Sequence, residues 1–284
     1  MIKFVHHTVW AFDAEWAPDP LAGRMLYGLG EDVADADVMA EMWKQGGATE
    51  ENPNPYLKTA LCRFISIAAM VRRQAKDGSV RLTLMSIPDG VSDVNAREAT
   101  EESVLGRFLQ GVGEKKPQLV GYNSQSADIK AMIQRGIIRG QRQPNFAKRP
   151  NKPWEGVDYF VRGSDWHVDL KEAVSGWGAA TPSLHEMATL SGIPGKMDVA
   201  GDQVPVLWLN GELEKIVAYN EFDALTTYLL WLRMAHFSGH FDAAGYQNEQ
   251  GLVRELLERE GEQKPHLLDY LKEWQRLSKL VEGV

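Results

Sequence analysis

Three apolar, strand-like runs near the N-terminus limit the class of fold open to this chain. Thr8 to Glu15 alternates, is rich in apolar side chains and ends on polar residues. Arg63 to Arg72 and Ser79 to Ile87 repeat the pattern, and Gln74-Ala75-Lys76-Asp77-Gly78 parts them with an Asp-Gly turn signal. Together they predict an antiparallel meander. Beyond it the period changes. Val104, Leu105, Phe108 and Leu109 fall at helical spacing within Ala96 to Gln110, and Pro117 to Asn123 reads as a buried strand entering a turn. A helix is expected from Ser126 to about Ile138, a short strand at Trp166 to Leu170, and a helix over Ser183 to Leu190. Ser183 and Glu186 are placed there as a capping box, with Gly192 and Pro194 as stop signals. Leu213 to Met234 reads as a long amphipathic helix, and Asn248 to Glu260 and Pro265 to Leu280 as two more parted by Gly261. That order predicts an α/β protein, a mixed sheet with helices packed on it.

Between the first two strands runs a polar stretch from Pro18 to about Ala60, with Pro18, Pro20, Pro53, Pro55, Gly46 and Gly47. It predicts a short helix near Asp35 to Gln45 and loop elsewhere. The expected organisation is one domain over 1–240 with an insertion at about 18–60, and a C-terminal helical extension, 241–284, packed on the same domain.

The chain has 284 residues, 44% hydrophobic and 25% charged, enough for one sizeable core. Its net charge of −8 argues against broad coating of nucleic acid but leaves room for a local basic surface. The single cysteine, Cys62, rules out an intramolecular disulfide and sits in an apolar run where a buried thiol is the ordinary case. Met1 to Phe12 carries Lys3, His6 and His7 and shows no small-residue cleavage pattern, unlike a signal peptide. No window approaches the roughly 18 apolar residues of a membrane span. A soluble, cytoplasmic protein is expected.

The acidic residues carry the chemistry. Asp13 and Glu15 lie two apart in a predicted strand, so their side chains leave the same face. Two carboxylates so placed repel unless a cation compensates them, and a divalent metal does this; a strand end open to water is the other reading. Asp128 falls in the first turn of a helix that follows a strand end, as a ligand or as a partner of the helix dipole. Tyr219 and Asp223 are spaced i, i+4 on the long helix, so phenol and carboxylate can reach one point, although Asp223 could equally border the core.

The order of these residues is more specific than any one of them. Phe12-Asp13-Ala14-Glu15, then Gly121-Tyr122-Asn123 through Asp128, then Tyr219-Asn220-Glu221-Phe222-Asp223, resembles the three motifs of the DEDD superfamily of 3′–5′ exonucleases, in the branch marked by tyrosine in its third motif. His167-Val168-Asp169-Leu170, Ser183-Leu184 and Gly192-Ile193-Pro194-Gly195-Lys196 extend the resemblance to predicted exonucleases related to the proofreading domain of family B polymerases. It covers roughly Val9 to Met234. Trp16 stands where Thr is common, and Ala127 where Phe is common.

The resemblance implies a ribonuclease H-like fold and hydrolysis of phosphodiester bonds from the 3′ end of DNA, at single-stranded or frayed ends. It implies two divalent ions, Mg²⁺ or Mn²⁺, acting by a two-metal mechanism. Asp13 would bridge both ions, Glu15 and Asp223 would complete the hydrolytic one, Asp128 would serve the second partly through water, and Tyr219 would orient the attacking water. An exoribonuclease of the same superfamily is the alternative, because nothing identifies a reader of the 2′-hydroxyl. A non-catalytic nucleic-acid-binding module on the same fold is another, and a protein whose insertion and C-terminal helices dock a partner is a third.

Lys130 to Lys152 contains no Asp or Glu. Arg135, Arg139, Arg142, Lys148, Arg149 and Lys152, with Asn123, are the candidate nucleic-acid contacts, and Phe146 and Trp154 add stacking groups. A solvated loop is the competing reading. Asp169 is expected to make a structural hydrogen bond, with support of a metal ligand as the other reading, His185 and His236 to lie at the surface or boundary, and Lys196 to meet either phosphate or solvent.

Overall fold

The computed structural model describes residues 2–152, 154–177, 180–197 and 201–282. The central strand is β1 (Thr8–Pro18), which leads through α1 (Pro20–Tyr27) and α2 (Asp35–Gln45) to β2 (Cys62–Gln74) and β3 (Val80–Ile87). Next come α3 (Glu101–Lys115), β4 (Gln118–Gly121), α4 (Asp128–Ile138), α5 (Pro144–Ala147), β5 (His167–Asp169), α6 (Leu170–Val174) and α7 (Leu184–Leu190). The chain continues through α8 (Val204–Leu209), α9 (Leu213–Phe237), α10 (Ala243–Gly261) and α11 (Pro265–Glu282). The sheet order is β3-β2-β1-β4-β5. The first three strands pair antiparallel, and β4 and β5 add in parallel. This is the expected mixed α/β sheet, with a ribonuclease H-like arrangement of strands.

Strand alternation in β1 decides where the chemistry faces. Trp10, Phe12 and Ala14 join Phe108, Leu109, Ile129 and Met132 in one core, on the side of α3 and α4. Val9 and Ala11 join Leu225, Tyr228 and Leu229 of α9 in the other. Asp13 and Glu15 continue the odd series, so their carboxylates leave the sheet on the α9 side, opposite Ala68 and Ser66 of β2 in register. The strand does not end on these residues. It runs on to Pro18 through a bulge between Glu15 and Trp16, which twists the strand at the site. Nor is α9 a two-faced surface helix, since every residue from Ala224 to Leu232 is buried. It lies between the sheet and the C-terminal helices, so both its faces are covered.

The insertion holds one helix more than expected. Asp19 caps α1, accepting from the Leu21 amide at 3.1 Å, and Pro20 takes the first helical position, where its missing N–H is no loss. Sequence signals that mark a loop therefore mark a helix start here. The two insertion helices meet at Gly23, where an added Cβ would come within 2.5 Å of Val38 Cγ1. Val38, Met39 and Met42 fill this small core. The Asp19 amide donates to the Leu61 carbonyl at 2.8 Å, so the segment leaves and returns at one neck.

Buried carboxylates tie α10 and α11 to the rest. Glu249 of α10 accepts from Arg72 Nε at 2.9 Å and from Arg72 Nη2 and Tyr228 Oη at 2.6 and 2.8 Å. Fully buried Glu221 of α9 accepts from Ser86 and from Lys264 Nζ at 2.6 Å, with His266 Nε2 also 2.6 Å away. Burial opposes ionisation of Glu221, but these partners hold its carboxyl below the usual range. Among the described residues, no helix is long and apolar enough to cross a membrane.

Candidate active site

One carboxylate oxygen from each of Asp13, Glu15 and Asp223 falls within 4.8 Å of the others. β1 supplies the first two by alternation, and α9 lays Asp223 over them. Asn220, one turn before Asp223 and fully buried, donates from Nδ2 to Asp13 Oδ2 at 2.9 Å and accepts from Ser66 Oγ at 3.0 Å. It fixes the Asp13 side chain against the sheet. In the sequence, the only signal of Asn220 is its place beside Tyr219.

Tyr219 is mostly buried, and its hydroxyl hydrogen-bonds to the Asp223 carboxylate. Burial, then the charges of Asp223, Glu15 and Asp13, push this phenol far above its ordinary pKa. It is therefore a neutral O–H donor across the physiological range.

Asp128 arrives from the other side. Ile129 and Met132 anchor α4 on the α3 face of the sheet, and the first turn of α4 stands beyond the end of β4. Asp128 is 6% exposed and lies outside the tight trio, but its charge acts on both Asp13 and Glu15. The preceding turn is held by Asp169 of β5, whose carboxylate accepts from the Asn123 and Gln125 amides, each at 2.9 Å, and caps α6. Asp169 thus makes the expected structural bonds, and they set the start of α4.

Crowding four carboxylates in a partly dry site shifts them all upward. Burial is the first cause for each. The charge of Asp223 adds most to the rise at Asp13 and Glu15, which lie well above the usual carboxylate range. Burial pushes Asp128 up to about 7 and Asp223 up to about 6, the latter opposed by the Tyr219 bond and the charge of Lys196. The Lys196 amide donates to His185 Nδ1 at 2.8 Å, which fixes this turn beside the site.

A raised carboxyl pKa means that the folded state keeps protons the unfolded chain has released. The site's contribution to stability is therefore full at low pH and falls as pH rises from about 4 towards the folded values, about 6 and about 7 for the two acids above. Metal-free protein is expected to lose melting temperature between about pH 4 and about pH 7, and Asp13→Asn to flatten that slope. Identical pH profiles for the two proteins would contradict the electrostatic picture.

The basic strip divides. Arg135 is 1% exposed, and donates to both Glu101 oxygens and to Asp19 Oδ2, so it cannot contact a phosphate in this fold. Arg139 binds the same two acids, through Nε to Glu101 at 2.6 Å and Nη2 to Asp19 at 2.9 Å. A local sequence free of acids conceals these partners because they sit on distant elements. Asn123 takes a left-handed conformation, φ 67°, at the β4 turn, with its side-chain oxygen 3.3 Å from Lys171 Nζ. Arg142, Lys148, Arg149 and Lys152 are exposed, although Arg149 pairs with Asp158 at 2.9 Å and Lys152 with Glu155 at 3.1 Å.

A largely buried carboxylate cluster thus lies under a tyrosine on one face of the central strand of a mixed sheet. A family model described as a predicted 3′–5′ exonuclease related to the exonuclease domain of PolB matches residues 54–274, most of the chain. The chain belongs to that family. The matched span contains Asp128, Tyr219 and Asp223, while Asp13 and Glu15 precede it. Among solved structures, the family B DNA polymerase from the hyperthermophilic archaeon Pyrobaculum calidifontis is similar at 15% identity and a TM-score of 0.43. The alignment covers 91% of this chain and 29% of the polymerase chain, so the protein spans under a third of that relative. No curated protein matches.

Proposed function

We propose that this chain is a metal-dependent 3′–5′ exonuclease that removes nucleotides from the 3′ end of single-stranded or frayed DNA. The convergence of Asp13, Glu15 and Asp223 within 4.8 Å carries the reading, and membership of a family of predicted 3′–5′ exonucleases supports its direction. The donor set fits the metals the fold implies. It is all oxygen, and hard oxygen donors suit Mg²⁺ or Mn²⁺. Its self-repulsion also demands positive charge, which no arginine or lysine bonded to these carboxylates supplies among the described contacts.

Asp13, Glu15, Asp128 and Asp223 would hold two divalent ions, which when bound acidify a water and offset charge on the leaving oxygen. The chain's own part is positional. Asn220 and Ser66 lock the rotamer of Asp13, and the Asp169-bonded turn sets Asp128. Tyr219, held as an O–H by its surroundings, orients the attacking water instead of deprotonating it. Exposed Arg142, Lys148, Arg149 and Lys152 would contact the nucleic-acid backbone.

Digestion of end-labelled single- and double-stranded DNA and RNA with Mg²⁺ or Mn²⁺ tests the reading. Shortening from the 3′ label, stopped by chelation and fastest on unpaired DNA, is expected. No shortening of any substrate refutes the activity, and faster loss of RNA refutes the choice of sugar. Tyr219→Phe is expected to lower kcat by roughly 10- to 100-fold with KM little changed, the range for a group that orients a ligand. A fall as deep as that caused by losing a carboxylate would instead make the phenol a proton carrier.

A further inference from the structure

Beside the carboxylates opens a cleft of about 390 Å³, within the usual range for ligand sites. Glu15 lines it, so it is continuous with the cluster described above. Its walls come from two sources. Trp16, which follows the first motif and packs edge-on against Phe64 at 5.6 Å, forms one side. The insertion supplies Trp43 from α2, and Tyr56, Asn52 and Asn54 from the segment leading to β2.

The lining selects a ligand chemistry. Glu15 and Asp202 are its charged side chains, and no lysine or arginine is among the described residues that line it. Such a surface repels phosphate. Flat apolar rings edged by amides instead match a nucleobase, which stacks on an aromatic face and offers donors and acceptors at its rim. Tyr56 is fully exposed, at 101%, and no packing among the described residues accounts for an aromatic ring held in water at this place. The close approach at Gly23 and the Asp19–Leu61 neck hold the insertion as a folded unit, so its aromatic side chains have a fixed base.

We infer that Trp16 and the insertion form a nucleobase cleft that takes unpaired bases next to the scissile phosphate, making the insertion a selector for single-stranded ends. The inference rests on the nuclease reading of the neighbouring cluster. Bases in a duplex are paired and stacked on one another, so only an unpaired end can offer a face to Trp43 and Tyr56. Insertion residues would thereby set which ends enter, while the carboxylates set what is done to them.

The test separates the cleft from the chemistry. Fluorescence anisotropy would follow a labelled single-stranded DNA oligonucleotide, and the same strand with abasic 3′-terminal residues, binding to full-length protein in an Asp223→Ala background. Tyr56→Ala and Trp43→Ala are each expected to weaken binding of the base-bearing strand roughly tenfold, as for loss of one stacking platform, and to leave the abasic strand unaffected. Trp43→Phe, which keeps a ring and spares α2, is expected to restore most of the affinity. Equal losses on both strands, or no loss on either, would overturn the cleft. Hydrolysis by the otherwise unaltered protein is read separately. Base-dependent binding without cleavage would remove the proposed activity and still support the cleft.

Discussion

Alanine at Asp13 or Asp223 is expected to lower hydrolysis by roughly a thousandfold or more, while the purified protein stays folded. Both side chains sit in the trio whose oxygens lie within 4.8 Å, and the charge of Asp223 raises the cost of ionising Asp13. On the proposed function, removing one would delete a metal ligand and relieve repulsion in the same step. Two readouts must move together. Turnover with Mg²⁺ or Mn²⁺ should collapse, and the rise in melting temperature that the metal gives the unaltered protein should shrink, because binding to the native state alone stabilises it. Turnover near normal in either variant would show that the cluster is not the reaction centre. Glu221→Gln is a poor control despite lying two residues from Asp223, since its carboxylate anchors Lys264 and His266.

The largest stability effect is expected at Arg135. Its guanidinium donates to Glu101 at 2.7 and 2.6 Å, to Asp19 at 2.5 Å and to the Ala60 carbonyl at 2.9 Å, while Glu101 also accepts from the Phe64 amide at 3.1 Å. One buried side chain thus joins α4, α3, the insertion neck and the start of β2. Arg135→Met keeps the volume but leaves two buried carboxylates short of a partner, and such a break costs about 3–5 kcal/mol. Arg139 touches both acids from a more exposed position and will recover part of the loss. Urea titration should show a lower midpoint with an unchanged slope. A loss below about 1 kcal/mol would mean that the network relaxes into water. Because the neck belongs to it, base-dependent binding in the cleft should weaken in the same variant.

Local signals were legible wherever neighbours in sequence are also neighbours in space. The hairpin at Asp77-Gly78, the capping box of Ser183 and Glu186, and the span of α2 follow from short-range geometry, and the structure shows each. Pro20 misled because proline marks a loop and a helix start alike, and only the cap by Asp19 distinguishes them. Arg135 misled for a different reason. A cation without local acids looks available to phosphate, but its partners, 34 and 116 residues away, arrive only when α3 and the neck pack.

The chain's sequence by itself determined the order of the five strands and of most of the helices, the acidic side chains available to a site, and the alternation that sends Asp13 and Glu15 to one face. These depend on backbone periodicity and side-chain chemistry, which are properties of a few consecutive residues. Tertiary structure alone decided which face that was, that Asn220, 207 residues away, would grip Asp13, and that the insertion would wall a cleft beginning at Glu15. Desolvation made the same distinction for charge. Whether Arg135 faces water or two carboxylates, and how far four acids resist ionisation, depends on packing between elements far apart in the chain.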